Sequence, residues 1–280
     1  MRRFLPVEYL VFVTLFLPAG SSAAADAAIE DALRATVLIT KGTSYGTGFF
    51  VAVGEPSDPK GSNPPRKIQG RRHAMVTAAH VFISSNGPDC TVFVRAHGKD
   101  GALVRKEITV PIREGNKPLW TQLLPELDVA AILVNVPEDV DLKPFAYRQV
   151  ADEKWAADGK IRVGQQVRIP CFLQPPLLAN EAGWPILRTG WIASHPLTPL
   201  ASVKSMIIDY SIFPGDSGAP VVACDGEEPV VVGLVYGNVT HTDQSMMMFE
   251  QRTVVTSFRL ATAVQSPFVR KTIDRLLERQ

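Results

Sequence analysis

The chain has 280 residues, 46% of them hydrophobic, enough for one domain of two lobes or for two small domains. Its formal net charge is +1, so no strong field draws it to nucleic acid or anionic lipid. It holds no HExxH, no GxxxxGK[ST] and no zinc-type Cys/His spacing, and its five histidines are scattered, so no metal or other cofactor is expected.

In chain order, the first element is an export signal. Arg2 and Arg3 precede the apolar run "YLVFVTLFLPAG", and the small residues "SSAAADAA" follow it. Glu8 limits the run to about a dozen residues, short of the ~20 that a spanning helix needs. Residues 1–25 are expected to be removed by cleavage after Ala25, leaving a soluble protein that is secreted or periplasmic. No later segment is long and apolar enough to span a membrane.

After the signal, "AAIEDALRA" allows one or two helical turns. The texture then changes to short apolar runs broken by Gly, Pro, Asn and Asp. "TVLIT", "GTGFFVAV", "HAMVTAAHV", "CTVFVRA", "KEITVPI" and "DVAAILVNV" read as strands. So do "QQVRIPCFL", "LRTGWIAS", "SMIIDYSI", "APVVAC", "PVVVGLVYG" and "RTVVTSFRL". This is the pattern of an all-β barrel or sandwich. Residues 54–72, rich in Pro, Gly and charge, read as an exposed loop, and the polar stretch 148–160 as a link between two β lobes. Asp225-Gly226 opens a hairpin turn between two β-branched runs. "SPFVRKTIDRLLER" reads as a helix, with Ser266 as N-cap, Pro267 at the first helical position and Phe268, Ile273, Leu276 and Leu277 on one face. The expected organisation is a signal at 1–25, one β lobe at 26–150, a second at 151–265 and a helix at 266–280.

Three short stretches carry chemistry. "SIFPGDSGAPVV" sets Ser217 between two glycines, "MVTAAHVF" sets His80 at the end of a strand, and "LPELDVAAILV" sets Asp128 before one. Taken singly, each has an ordinary structural explanation: turn serine, strand histidine, turn aspartate. Taken together they form the order His, Asp, Ser, with gaps of 48 and 89 residues. A known serine-protease triad has the same order with gaps of roughly 45 and 93. A serine hydroxyl needs a base to become a nucleophile, and the base needs an acid to orient it. The alternative G-x-S-x-G elbow fails at Ala219. A Ser217–Asp225–His241 set is crowded into a short span. His73, His97 and His195 have no matched partners and read as surface or strand residues.

On these motifs the chain resembles the chymotrypsin/trypsin-like family of serine proteases. "TAAH", "LDVAAILV" and "GDSGAPVV" are similar to that family's histidine, aspartate and serine motifs. "GTGFFV" and "VVVGLVYGN" are similar to the strands that precede the histidine and follow the serine. The resemblance covers roughly residues 36–280. It implies two six-stranded antiparallel β-barrels with the active site between them, and a secreted serine endopeptidase acting on protein or peptide. His80 would be the base, Asp128 its orienting acid and Ser217 the nucleophile. The oxyanion hole would be the backbone N–H groups of Gly215 and Ser217. The resemblance also implies a Cys171–Cys224 disulfide, with Cys90 free, and a specificity pocket with Ser211 at its base and Ile212 and Tyr236-Gly237-Asn238 on its walls. Without an acidic residue at position 211, a strict Lys/Arg preference is not expected.

Several departures matter. Ala219 stands where the family has glycine, which is harmless if the backbone there is not left-handed. Val81 stands where many members have cysteine. No Ile-Val type N-terminus is in view to pair with Asp216, so the group that orders the serine loop is left open. The alternative function is a silent or regulated binding module on the same scaffold. A protease-chaperone with an added peptide-binding module is a third reading, but the residues after Ser217 are needed to complete the second lobe.

Overall fold

A computed structural model describes residues 22–42, 44–53, 72–84, 87–173, 181–224, 228–247 and 250–279. The chain enters through helix α1 (Ser22–Ala35), longer than the one or two turns expected. Ala28, Ala32 and Ala35 are buried, because small side chains let this face lie close to the first lobe. The helix ends on Arg95, whose Nη2 donates to the carbonyl oxygens of Arg34 at 2.9 Å and Thr36 at 3.2 Å. The expected cleavage point after Ala25 falls inside α1, and the rest of the expected signal lies outside the described residues.

The first lobe is one antiparallel sheet with one added parallel strand. Its strands are β1 (Thr36–Lys41), β2 (Ser44–Ala52), β3 (Arg72–Thr77), β4 (Asp89–His97) and β5 (Leu103–Pro111). After a two-residue ladder of β6 (Arg113–Glu114) and β7 (Lys117–Pro118) come β8 (Ala130–Asn135) and β9 (Phe145–Ala146). The order is β5-β4-β1-β2-β3-β8, with β9 parallel to β2. Among the described residues β5 and β8 do not pair, so this lobe is a half-barrel rather than the closed barrel expected. The reason is visible in β5, which carries Arg105, Lys106 and Glu107 on a largely exposed strand. Charged side chains of this kind keep a sheet edge from pairing.

The second lobe is a closed barrel, as expected. Its strands are β10 (Gln166–Cys171), β11 (Ile186–Ile192), β12 (Ser205–Asp209), β13 (Pro220–Ala223), β14 (Val230–Met247) and β15 (Glu250–Gln265). They close in the order β10-β11-β12-β15-β14-β13. Strands β14 and β15 have 18 and 16 residues, and their hairpin continues past the end of β12 as a two-stranded arm. The polar stretch between the lobes holds a 3₁₀ turn (Tyr147–Gln149), then α3 (Glu153–Ala157), capped by Asp152, which accepts from Trp155 N at 3.2 Å. Helix α2 (Ala79–Ile83) follows β3, so His80 lies in a single helical turn and not in a strand.

Helix α4 (Ser266–Glu278) joins the lobes. Its N-cap is Gln265, not Ser266, and the Gln265 side chain makes no capping bond, because its amide donates to the carbonyl oxygens of Leu197 at 3.0 Å and Val203 at 2.8 Å. Phe268, Ile273 and Leu276 are buried and Leu277 is half-buried, as the spacing predicts, and Val269 and Thr272 are buried beside them. The core runs from Phe49, Met75 and Val129 of the first lobe through Phe268 and Ile273 to Val222, Leu234 and Val264 of the barrel. Of the expected loop at 54–72 only Arg72 is described, at the start of β3, and the Asp225-Gly226 turn lies outside the described residues.

The expected Cys171–Cys224 disulfide is absent: none of the three cysteines is in a disulfide. The strand register gives the reason. Arg168 pairs with Val222 across β10 and β13. Continuing that antiparallel register sets Cys171 opposite Ala219 and Cys224 opposite Gln166. At ~3.3 Å per residue the two cysteines are about 16 Å apart along the strands, against a Cα limit of about 7 Å for a bridge.

Candidate active site

Strand β3 ends at Thr77, and buried Ala78 and Ala79 carry the chain into α2. That turn aims His80 at the loop before β8. There, buried Leu127 and Val129 anchor the chain on both sides of Asp128. The side-chain amide of Gln122 donates to Leu127 O at 2.9 Å and Pro125 O at 3.2 Å and braces the same loop. Asp128 grips His80 at two points. Its Oδ1 accepts from the His80 backbone N–H at 2.9 Å, and its Oδ2 lies 2.5 Å from His80 Nδ1. A carboxylate there fixes the proton on Nδ1 and leaves Nε2 as the basic nitrogen.

The serine loop reaches this place through Thr47, a fully buried residue of β2. Thr47 N–H donates to Ser217 O at 2.8 Å, and Thr47 Oγ1 donates to Gly215 O at 2.7 Å. The same Oγ1 accepts from Phe172 N–H at 2.9 Å, and Thr47 O accepts from Thr77 Oγ1 at 2.7 Å. One threonine thus ties the strand leading to His80, the end of β10 and the serine loop together.

Two glycines are required by this packing. Gly218 has φ +90°, and a Cβ there would lie 2.0 Å from Thr47 O and 3.0 Å from Ala78 N, two residues before His80. Gly215 has φ +101°, and a Cβ there would meet Phe172 O at 2.1 Å. Ala219 is not among the residues with positive φ, and its methyl is buried without strain.

Asp216 is fully buried, and its ordering partner is Arg188 of β11. Arg188 Nη1 donates to Asp216 Oδ2 at 2.9 Å and to Tyr210 Oη at 2.8 Å. Its Nη2 donates to Ser211 O, and the guanidinium lies 4.1 Å from the Tyr210 ring centroid and 5.0 Å from that of Phe213. The Phe213 N–H adds a bond to Asp216 Oδ2 at 2.7 Å. Burial pushes the Asp216 carboxyl up from its usual range, opposed by the Phe213 N–H and by Arg188. Burial likewise raises the Cys171 thiol to about 12.

Gly218 N–H donates to Val235 O at 2.7 Å, and Val235 N–H donates to Ala219 O at 2.9 Å. This sets Tyr236, Gly237 and Asn238 just beyond the serine loop on β14. Ser211 and Ile212 are half-buried, and Asn238 is exposed. Tyr236 Oη lies 3.3 Å from Ser205 Oγ. The other histidines are elsewhere: His73 on β3, His97 exposed at the end of β4, His195 in a loop and His241 on the arm, its ring 6.1 Å from that of Phe258. Asp225 lies outside the described residues. Thr47 and Arg188 were not singled out in the sequence; a lone threonine in a strand and an arginine 28 residues from its partner give no local signal.

A family model described as a trypsin-like peptidase domain matches residues 46–234. Among solved structures, the chain is similar to an inactive form of a serine-to-alanine mutant of Rv3671c from M. tuberculosis H37Rv. Identity is 17%, the match covers 90% of this chain and 91% of that chain, and the TM-score is 0.48. It is also similar to the inactive form of the Rv3671c protease, at 15% identity, 91% of this chain, 96% of that chain and a TM-score of 0.47. A search of curated proteins finds none that matches the chain.

Proposed function

Because the chain belongs to the trypsin-like peptidase family, we propose that it is a serine endopeptidase working through His80, Asp128 and Ser217. The observation that carries this reading is the two-point grip of Asp128 on His80, set beside a serine loop that Thr47 pins to the same lobe.

In this mechanism Ser217 Oγ attacks the carbonyl carbon of the scissile peptide bond while His80 Nε2 takes the hydroxyl proton. The charge that develops on the carbonyl oxygen is met by the N–H groups of Gly215 and Ser217, donors of a kind worth about 2.7–4 kcal/mol each. His80 then gives its proton to the leaving amine, and an ester to Ser217 remains. Water attacks the ester with His80 again as base, and the acid product leaves. Asp128 holds the imidazole and stabilises its charged form throughout.

Arg188 supports the reading from below, where it supplies the cation that Asp216 needs to stay charged while buried. No new N-terminus is needed to order the loop, so the enzyme requires no activating cleavage of that kind. A cation beneath Ser211 fits a pocket that does not prefer Lys or Arg. We place the protein outside the cytoplasm, with residues 1–25 removed. Hydrolysis of an unfolded protein by the purified chain, abolished in Ser217→Ala and His80→Ala, tests the reading; equal hydrolysis by the Ser217→Ala variant overturns it.

A further inference from the structure

Among the described residues the half-barrel leaves a seam between β5 and β8, and the seam holds a cavity of about 350 Å³. Ile108 and Val110 line it from β5, and Ile132 and Val134 from β8. Leu119, just after β7, and Leu276 of α4 complete its apolar wall. A cavity walled by such side chains is a poor place for water. One end is different. There the cavity meets Arg72, the first residue of β3, and Asn135, the last residue of β8.

The strand register sets the geometry of this end. Ala131 exchanges two hydrogen bonds with Thr121, at 2.8 and 2.9 Å, so its N–H and C=O face away from β3. The pattern repeats every two residues. Arg72↔Asn135, like Val76↔Ala131, is therefore a pair without mutual hydrogen bonds, the kind whose side chains lie closest. The Asn135 N–H faces the same free edge as that of Ala131. Arg72 is half-buried, forms no ion pair or hydrogen bond with a described residue, and has its Nε buried without an acceptor. A desolvated N–H on a cation calls for an acceptor, because burying it alone is costly.

We propose that this seam binds a straight-chain fatty carboxylate, its hydrocarbon chain in the cavity and its head group on Arg72 and Asn135. The proposal stands independently of the reading of Ser217. Charge complementarity selects the head group: a guanidinium pairs with a carboxylate through two parallel hydrogen bonds. The apolar wall selects the tail. A peptide would carry an N–H and a C=O into the cavity with each residue, and the side chains that line it offer those groups no partner. At the packing density of protein interiors, ~0.74, the cavity suits a chain of about ten to fourteen carbons. A bound chain would bridge the two sheet edges of the lobe that carries His80 and Asp128, and so stabilise that lobe by mass action.

The test measures binding of sodium hexanoate, octanoate, decanoate and dodecanoate to the purified chain by calorimetry, below the concentrations at which they form micelles. One decanoate should bind per chain, and each added pair of carbons from hexanoate to decanoate should tighten binding about tenfold. Decanol should bind about tenfold more weakly than decanoate. Arg72→Gln should weaken decanoate about tenfold and leave decanol unchanged, which separates a head-group contact from a change in the cavity. Ile108→Phe, which fills the seam from its half-buried edge, should weaken decanoate and dodecanoate more than hexanoate. The melting temperature of each variant without ligand checks its fold, and decanoate should raise that of the wild type. Absence of saturable decanoate binding overturns the proposal, as does equal binding of decanol and decanoate by the wild type. Many molecules bound per chain would mean adsorption and would overturn it as well. Tighter binding of an apolar tripeptide acid than of decanoate would assign the seam to a polypeptide instead.

Discussion

Thr47 Oγ1 donates to the carbonyl oxygen of Gly215 at 2.7 Å while accepting from Phe172 N–H at 2.9 Å. A hydroxyl is the group that can do both in a dry interior, and it sets the position of the serine loop against the histidine lobe. Thr47→Val keeps the shape and removes both bonds, leaving a buried acceptor and a buried donor without partners. Each such orphan costs about 1–3 kcal/mol. The variant should lose about 2–4 kcal/mol of stability, with kcat down about 10- to 100-fold and KM changed less. Thr47→Ser should stay within about threefold of wild type. Steady-state kinetics with urea unfolding read both effects; equal activity of Val and Ser variants would contradict the role given to the hydroxyl.

Arg188 and Asp216 form a second such relationship, with a pH signature. Removing one member of a buried ion pair costs about 3–5 kcal/mol at neutral pH. In Arg188→Met the Asp216 carboxyl loses its cation, and burial drives its pKa up further. A carboxyl raised in the folded state binds a proton there before it does so in the unfolded chain, so stability falls as pH rises between the unfolded value, about 3.9, and the folded one. The variant should therefore be most damaged near pH 8 and recover toward wild type near pH 5. Arg188→Lys should restore part of the activity. A stability deficit that is the same at both pH values would contradict the account.

The cysteines give a direct count. Burial raises the thiols of Cys90 and Cys171 to about 12, so neither should react with a thiol reagent at pH 8 in the folded protein. In denaturant without reductant, three thiols should titrate. A count of one would restore the disulfide that the strand register rules out.

Export leaves a different mark. Cleavage after Ala25 would make Asp26 the first residue of the shortened α1, an acidic residue where the helix dipole favours one. The buried face of Ala28, Ala32 and Ala35 and the Arg95 cap would be kept. Mass spectrometry of the protein from the extracellular or periplasmic fraction should find a chain starting at Asp26. A chain starting at Met1 in the cytoplasm would contradict export.

The parts of this molecule legible in the sequence are those written in local residue order. The β-branched runs mark their strands, and "TAAH", "LDVAAILV" and "GDSGAPVV" mark segments that the fold draws toward one place. The parts that were not legible depend on partners distant in sequence. Thr47 meets Gly215 across 168 positions, and Arg188 meets Asp216 across 28. The arm was expected as two short strands, "PVVVGLVYG" and "RTVVTSFRL", with no strand assigned to the residues between them. It is a strand because β14 and β15 continue each other's ladder. The disulfide came from resemblance alone and failed on a register that resemblance does not carry.

The central claim is that Ser217 is a nucleophile activated by His80. A fluorophosphonate probe reads it directly, because the activated oxygen bonds to phosphorus and fluoride leaves. The purified mature chain should be labelled, and Ser217→Ala and His80→Ala, each shown to be folded, should not. Labelling that survives in Ser217→Ala, or its absence in a folded wild type, would contradict the claim.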